Sequence, residues 1–143
     1  QEIQLNLEEI TEKLVYHQNL QKELIHNPAS VGLSLQLTRL KNYAWRAAQS
    51  SALQKYVEKD LYLKLLEIYE LQQGLMEHNQ SANNLMAHLN VVGPYYLVKA
   101  IEDENEKVAF YQKSKQGWIN VFSDAIYYES ILKELYTEIL NEL

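Results

Sequence analysis

The chain contains no cysteine, and only four glycines and two prolines in 143 residues. Without cysteine it forms no disulfide, holds no metal through thiolate and has no thiol nucleophile, although this leaves the compartment open. So few glycines and prolines cannot supply the many tight turns of an all-β fold of this length. A basic patch is also missing. Lys and Arg number 13 against 19 Asp and Glu, for a net charge of −6. The densest basic groups, Arg39 with Lys41 and Lys113 with Lys115, are only pairs. No nucleic-acid partner is expected, because affinity for a phosphate backbone rests on clustered cations. No apolar run approaches the ~18 residues that span a bilayer. The longest, 91–98, is broken by Gly93 and Pro94.

What remains is dominated by Leu, Glu, Lys, Gln, Asn and Tyr, most of them good or neutral helix formers. Over 1–26, Ile3, Leu7, Ile10, Leu14, His17, Gln21 and Leu24 alternate in steps of four and three, a heptad seam on one helix. No capping residue precedes Ile3 and the stripe is already in phase. A frayed start and a helix continuing from upstream both fit. His17 and Gln21 place polar groups on this seam, either as satisfied core residues or as contacts to a ligand.

Asn27 before Pro28 ends the helix. Residues 27–38 read as an extended segment lying on the other helices, with Leu33, Leu35 and Leu37 tucked in. Thr38 is placed to cap a short helix over about 39–51. Its expected buried side is Leu40, Tyr43, Ala44, Ala47 and Ala48, with Trp45 near one edge. After a turn at about 52–56, a long helix covers about 57–89. It carries a seam of Leu61, Leu65, Ile68, Gln72 and Leu75, widened by Tyr62, Leu66, Tyr69 and Met76, a breadth that suits contact from two sides. The polar run 78–84 is a weak spot where it is expected to bend. Residues 90–104 leave several conformations open. Asp103 with Glu106 resembles a capping box. It opens a last helix over 104–142, marked by Val108, Tyr111, Trp118, Val121, Phe122, Ala125, Tyr128, Leu132, Leu135 and Ile139.

The fold class is therefore all-α. The expected architecture is an elongated antiparallel bundle of three long helices, about 1–26, 57–89 and 104–142, plus the short one at 39–51, in a single domain 1–143.

Helical bundles often hold di-iron sites, which need Glu-x-x-His on two helices and further Glu on two others. One such motif exists, Glu23 with His26, next to a proline and without a second copy. His78 and His88, ten residues apart on a helix, stand about 15 Å apart and cannot share a metal. Phosphate loops, GxSxG and HExxH are missing. No cofactor, metal or catalytic residue is assigned. The eleven tyrosines, among them Tyr43, Tyr69, Tyr111 and Tyr128 on helix faces, read as rings buried with hydroxyls at the rim rather than as a pocket.

Residues 43–73 hold Trp45, Ala47, Ser51, Leu53, Asp60, Leu65, Ile68, Tyr69 and Gln72. This pattern resembles an uncharacterised bacterial family of small proteins, in which one N-terminal membrane span leads into a helical extracytoplasmic domain of unknown function. Glu2, Asn6, Tyr16, His17 and Leu20 have fitting spacings in the first helix, as do Glu129, Leu132, Tyr136 and Leu143 at the other end. The resemblance covers most of the chain except about 27–38 and 80–110. Ser51 departs from the commoner Thr-Gly form of the turn. The family brings no activity with it. It implies that the sequence is a fragment lacking an upstream membrane-spanning segment, with this domain periplasmic or extracellular.

The expectation is a non-enzymatic interaction or structural domain of a single-pass, membrane-anchored bacterial protein that binds a protein partner or a second copy of itself. The alternative is a sensory bundle binding a small molecule between helices. His17, Gln21, Trp45 and Tyr69 are the candidate contacts for either.

Overall fold

The structure, a computed structural model, describes residues 1–26, 36–51, 55–91 and 102–143, and they are all-helical, with no strand among them. Four helices are described: α1 Glu2–His26, α2 Tyr43–Ser50, α3 Lys59–Val91 and α4 Glu104–Glu142. The expected details at 27–35, at 52–54 and at 92–101 lie outside the described residues.

Both α1 and α3 lie against α4, and α2 seats Trp45 on Tyr62 and Tyr69 of α3. Contacts step backwards along α4 as they step forwards along α1: His17 meets Glu129, Gln21 meets Ser123 and Lys115 meets Ile25. The same order holds for α3, where Lys64 meets Glu142, Gln72 meets Tyr136 and His78 meets Val121. Three apolar stripes converge where these helices meet, and Ile10, Ile68, Leu75, Leu132, Tyr136 and Ile139 form one buried cluster. Each such side chain contributes about 1.5–3 kcal/mol through the water it sheds.

The first turn of α4 forms as its sequence requires. Asp103 accepts from Asn105 N at 2.7 Å and Glu106 N at 3.2 Å, satisfying amides that the helix itself leaves unpaired. Helix α3 needs one correction. It starts at Lys59 rather than 57, and no break, the alternative to a bend at 78–84, interrupts it there. That stretch is held by its neighbours: His78 Nε2 donates to Val121 O at 3.0 Å and Asn79 Nδ2 to Thr38 O at 3.1 Å. Tertiary bonds here outweigh a weak local propensity.

The short helix differs most from expectation. It spans Tyr43–Ser50, four residues later than predicted, and Thr38 does not cap it. Residues 36–42 form a non-helical strap instead. Its backbone is drawn out by side chains of other helices, so it cannot also close helical turns. The buried side is different too. Trp45 is buried while Tyr43, Ala44 and Ala47 are exposed.

Two glycines sit inside helices for different reasons. A Cβ on Gly74 would stand 2.9 Å from Tyr128 Cε1, whereas one on Gly117 would meet nothing within 4 Å. Gly117→Ala is therefore expected to raise stability by about 1 kcal/mol through helix propensity alone. Gly74→Ala gains the same propensity, but forcing a methyl into that ring costs about 1–3 kcal/mol. Gly74→Ala should destabilise in the native background and stabilise in a Tyr128→Leu background. Urea midpoints of the four proteins check that reversal of sign.

Candidate functional site

The heptad seam of α1 puts His17 on the face that meets α4, where it is 1% exposed. The steps of three and four that carry Phe122, Ala125, Leu132, Tyr136 and Ile139 inward carry Glu129 inward as well, and it is fully buried. His17 Nδ1 lies 2.9 and 3.0 Å from the two carboxylate oxygens of Glu129. His17 Nε2 lies 2.9 Å from the carbonyl oxygen of Gln36. A carbonyl only accepts, so Nε2 carries a hydrogen and donates it. Nδ1 faces the Glu129 carboxyl group within hydrogen-bond distance of both its oxygens. Thr38 Oγ1 donates to Glu129 Oε1 in a short hydrogen bond. Phe122 stacks on the imidazole at 5.7 Å between ring centroids, and Tyr16 meets it edge-on at 5.4 Å.

A buried imidazole beside a carboxylate is the positioning half of many acid–base sites. Here the second nitrogen faces a backbone carbonyl, and the Thr38 hydroxyl donates to the carboxylate.

The pair belongs to a longer set of contacts that hold the strap. Moving down α1, Glu9 Oε1 accepts from Arg39 N at 3.1 Å. Asn6 makes two bonds to one residue: its Nδ2 donates to Lys41 O, and its Oδ1 accepts from Lys41 N, both at 2.8 Å. Glu2 Oε2 accepts from Ala44 N at 2.9 Å, which places a carboxylate from α1 at the positive end of α2. Asn42, in the N-cap position of α2, makes no side-chain cap bond. Glu2, Asn6, Glu9 and His17 thus form a polar column along α1 that binds the backbone of the strap at Gln36, Arg39 and Lys41 and of α2 at Ala44.

Trp45 and Tyr69 sit at the far end of that column from His17 and Gln21, about 22 Å along α1. Trp45 stacks on Tyr69 with centroids 4.8 Å apart and ring planes 5° from parallel. The Tyr69 hydroxyl donates to Glu2 Oε1 at 2.9 Å. Gln21 Nε2 donates to Ile119 O at 3.1 Å and to Ser123 Oγ at 2.6 Å. The four candidates therefore form two pairs rather than one site. Asn6, Thr38 and Glu129 complete the arrangement and were not singled out as site residues. For Asn6 and Glu129 the signal was present, a polar residue in phase with an apolar stripe. For Thr38 no local signal exists. Among the described residues no group of three or more His, Cys, Asp or Glu could hold a metal ion.

Gln72 Nε2 donates to the buried Tyr136 hydroxyl in a short hydrogen bond. Burial pushes the Tyr136 phenol well above its ordinary value of 10.0. Burial, and then the bond to Glu2, push Tyr69 up as well. Both hold their protons more tightly folded than unfolded. The stability they contribute is present in full below pH 10, the unfolded value, and falls as pH rises above it. A titration of urea midpoints from pH 8 to 12 is expected to show this decline, reduced in Tyr136→Phe.

No family model, curated protein or solved structure matches the chain.

Proposed function

We propose that this chain is a non-enzymatic interaction or structural domain of a single-pass, membrane-anchored bacterial protein. It would stand outside the bilayer as an elongated antiparallel bundle. The observation that carries the non-enzymatic part is the use made of His17 and Glu129, whose polar atoms hold the strap backbone and Thr38. The reversed order of contacts along α4 supports the antiparallel reading. The anchored reading rests on the family resemblance. Of the residues that carry the resemblance, Glu2, Asn6 and His17 belong to the polar column, and Trp45, Tyr69, Gln72, Glu129 and Tyr136 take part in the polar and aromatic contacts beside it. A sequence pattern shared for packing reasons would take this form. No helix among the described residues is long and apolar enough to cross a membrane, so the anchor would be a separate segment. The test is the natural gene: about 20 apolar residues encoded just before Gln1 are expected, and a start codon a few residues upstream overturns the anchored reading.

A second reading, a sensory bundle, is favoured by one feature. A groove of about 760 Å³ lies between α1, α3 and the strap, lined by Glu9, Lys13, Thr38, Arg39, Asn79 and Gln80 among others. The Oδ1 atom of Asn79 is buried without a hydrogen-bond partner. A thermal-shift screen with small polar molecules tests this reading, and a shift abolished by Asn79→Leu is its expected signature.

A further inference from the structure

The strap that bridges α1 and α3 is clamped more fully along one edge than along the other. From Thr38 to Lys41 its backbone turns to alternate sides, as an extended chain does. Arg39 N donates to Glu9 on α1, and Asn6 on α1 holds both N and O of Lys41. One carboxamide reaches the N–H and the C=O of a single residue where both point the same way, which extended backbone provides. Thr38 O instead accepts from Asn79 Nδ2 on α3. The side chains alternate too. Thr38 is buried and Leu40 packs against the core, whereas Arg39 and Lys41 are exposed.

By this alternation the N–H and C=O of Leu40 turn the way Thr38 O does, toward α3. No described residue bonds either of them. Unpaired groups along the edge of an extended chain are a template for another chain. The groove of about 760 Å³ has Leu40 in its wall and, from α3, Gln80 and Asn83. Both carboxamides are exposed, and neither bonds another described residue. They stand three apart, the step that separates Asn6 from Glu9 on α1, where it serves strap residues two apart. Helix α3 thus repeats, with nothing in its grip, the spacing by which α1 holds an extended chain.

We propose that the groove binds an extended peptide segment of a protein partner, laid against the open edge of the strap at Leu40 and held from the other side by Gln80 and Asn83. The proposal deepens the interaction-domain reading above and rests on it. Strand addition of this kind draws its affinity from main-chain hydrogen bonds. The partner segment therefore needs an N–H at the residue that pairs with Leu40, and proline is excluded there.

The test is selection of heptapeptides from a random phage-displayed library against the 143-residue chain, followed by calorimetry with the synthesised peptides. Gln80→Ala and Asn83→Ala should each weaken binding about fivefold. Amide exchange at Leu40 should slow in the complex, and N-methylation of one peptide residue should cost about tenfold and abolish that slowing. Both substituted positions are exposed, and an unchanged far-UV circular dichroism spectrum controls for folding. Peptides whose binding ignores both substitutions, or leaves exchange at Leu40 unchanged, overturn the proposal but keep the interaction reading, which then needs another surface. Selection of no peptide overturns it as well and confines the interaction reading to folded partners.

Discussion

Glu129→Ala is expected to lower the unfolding free energy by about 3–5 kcal/mol, the range for removing one partner of a buried ion pair. The native pair is not worth that much in itself. Burying two polar groups costs about as much as the bonds between them return, so an intact pair contributes little. The large figure comes from what is left behind. Without Glu129, His17 Nδ1 and Thr38 Oγ1 face no acceptor while remaining 99% and 96% buried as residues. Each orphaned group costs about 1–3 kcal/mol. Glu129→Gln is expected to cost less, since one amide oxygen can still accept from one of the two donors. The double variant His17→Leu with Glu129→Leu should recover part of the loss, leaving Gln36 O and Thr38 Oγ1 unpaired. Urea unfolding of the singles and the double gives the coupling energy. A loss below about 1 kcal/mol for Glu129→Ala would show that water reaches the pair and that the burial argument is wrong.

Asn6→Asp is expected to cost about 2–4 kcal/mol although it changes almost no volume. The aspartate keeps an acceptor for Lys41 N but loses the donor to Lys41 O, and it sets a second oxygen against that carbonyl. The strap should loosen at its centre and α2 with it. In a Trp118→Phe background, leaving Trp45 as the sole indole, its emission should shift to the red. Amide exchange at Lys41 and Ala44 should accelerate. Lys41→Ala supplies the contrast. Asn6 binds the backbone of Lys41, whose side chain is exposed, so that substitution should move stability by less than about 0.5 kcal/mol. Equal losses for the two variants would mean that the side chain, not the backbone clamp, matters.

The long helices were legible because their evidence is local. Periodicity of three and four marks Ile10, Ile68 and Leu132 wherever they lie in the chain, and Asp103 announces its helix within three residues. The strap was not legible. Residues 38–42 contain no strong helix breaker, and their departure from helix is imposed by Asn6, Glu9 and Glu129, which lie 30 to 91 residues away along the chain. A single-sequence reading that caps a helix at Thr38 follows local rules correctly and is overridden by tertiary bonds. The polar column shows the same limit in milder form. Seam position made His17 and Gln21 visible as polar groups facing inward. Asn6 and Glu129 occupy equivalent positions among apolar neighbours, and nothing local names their partners. The site was therefore half readable: which residues point inward follows from period, and what they touch does not.

The partnership of α1 with α4 also governs how the chain can be made. His17 and Glu129 are separated by 112 residues, so α1 is synthesised well before the helix that covers its buried face. A growing chain carries that stripe, with an imidazole and an amide set into it, until α4 has been made. Closing so long a loop costs only a few kcal/mol more than closing a short one, but it delays the step that rewards it. The polar groups in the seam make the exposed helix less adhesive during that interval than an all-leucine stripe would be, so the residues that lock the finished structure also keep the unfinished chain soluble.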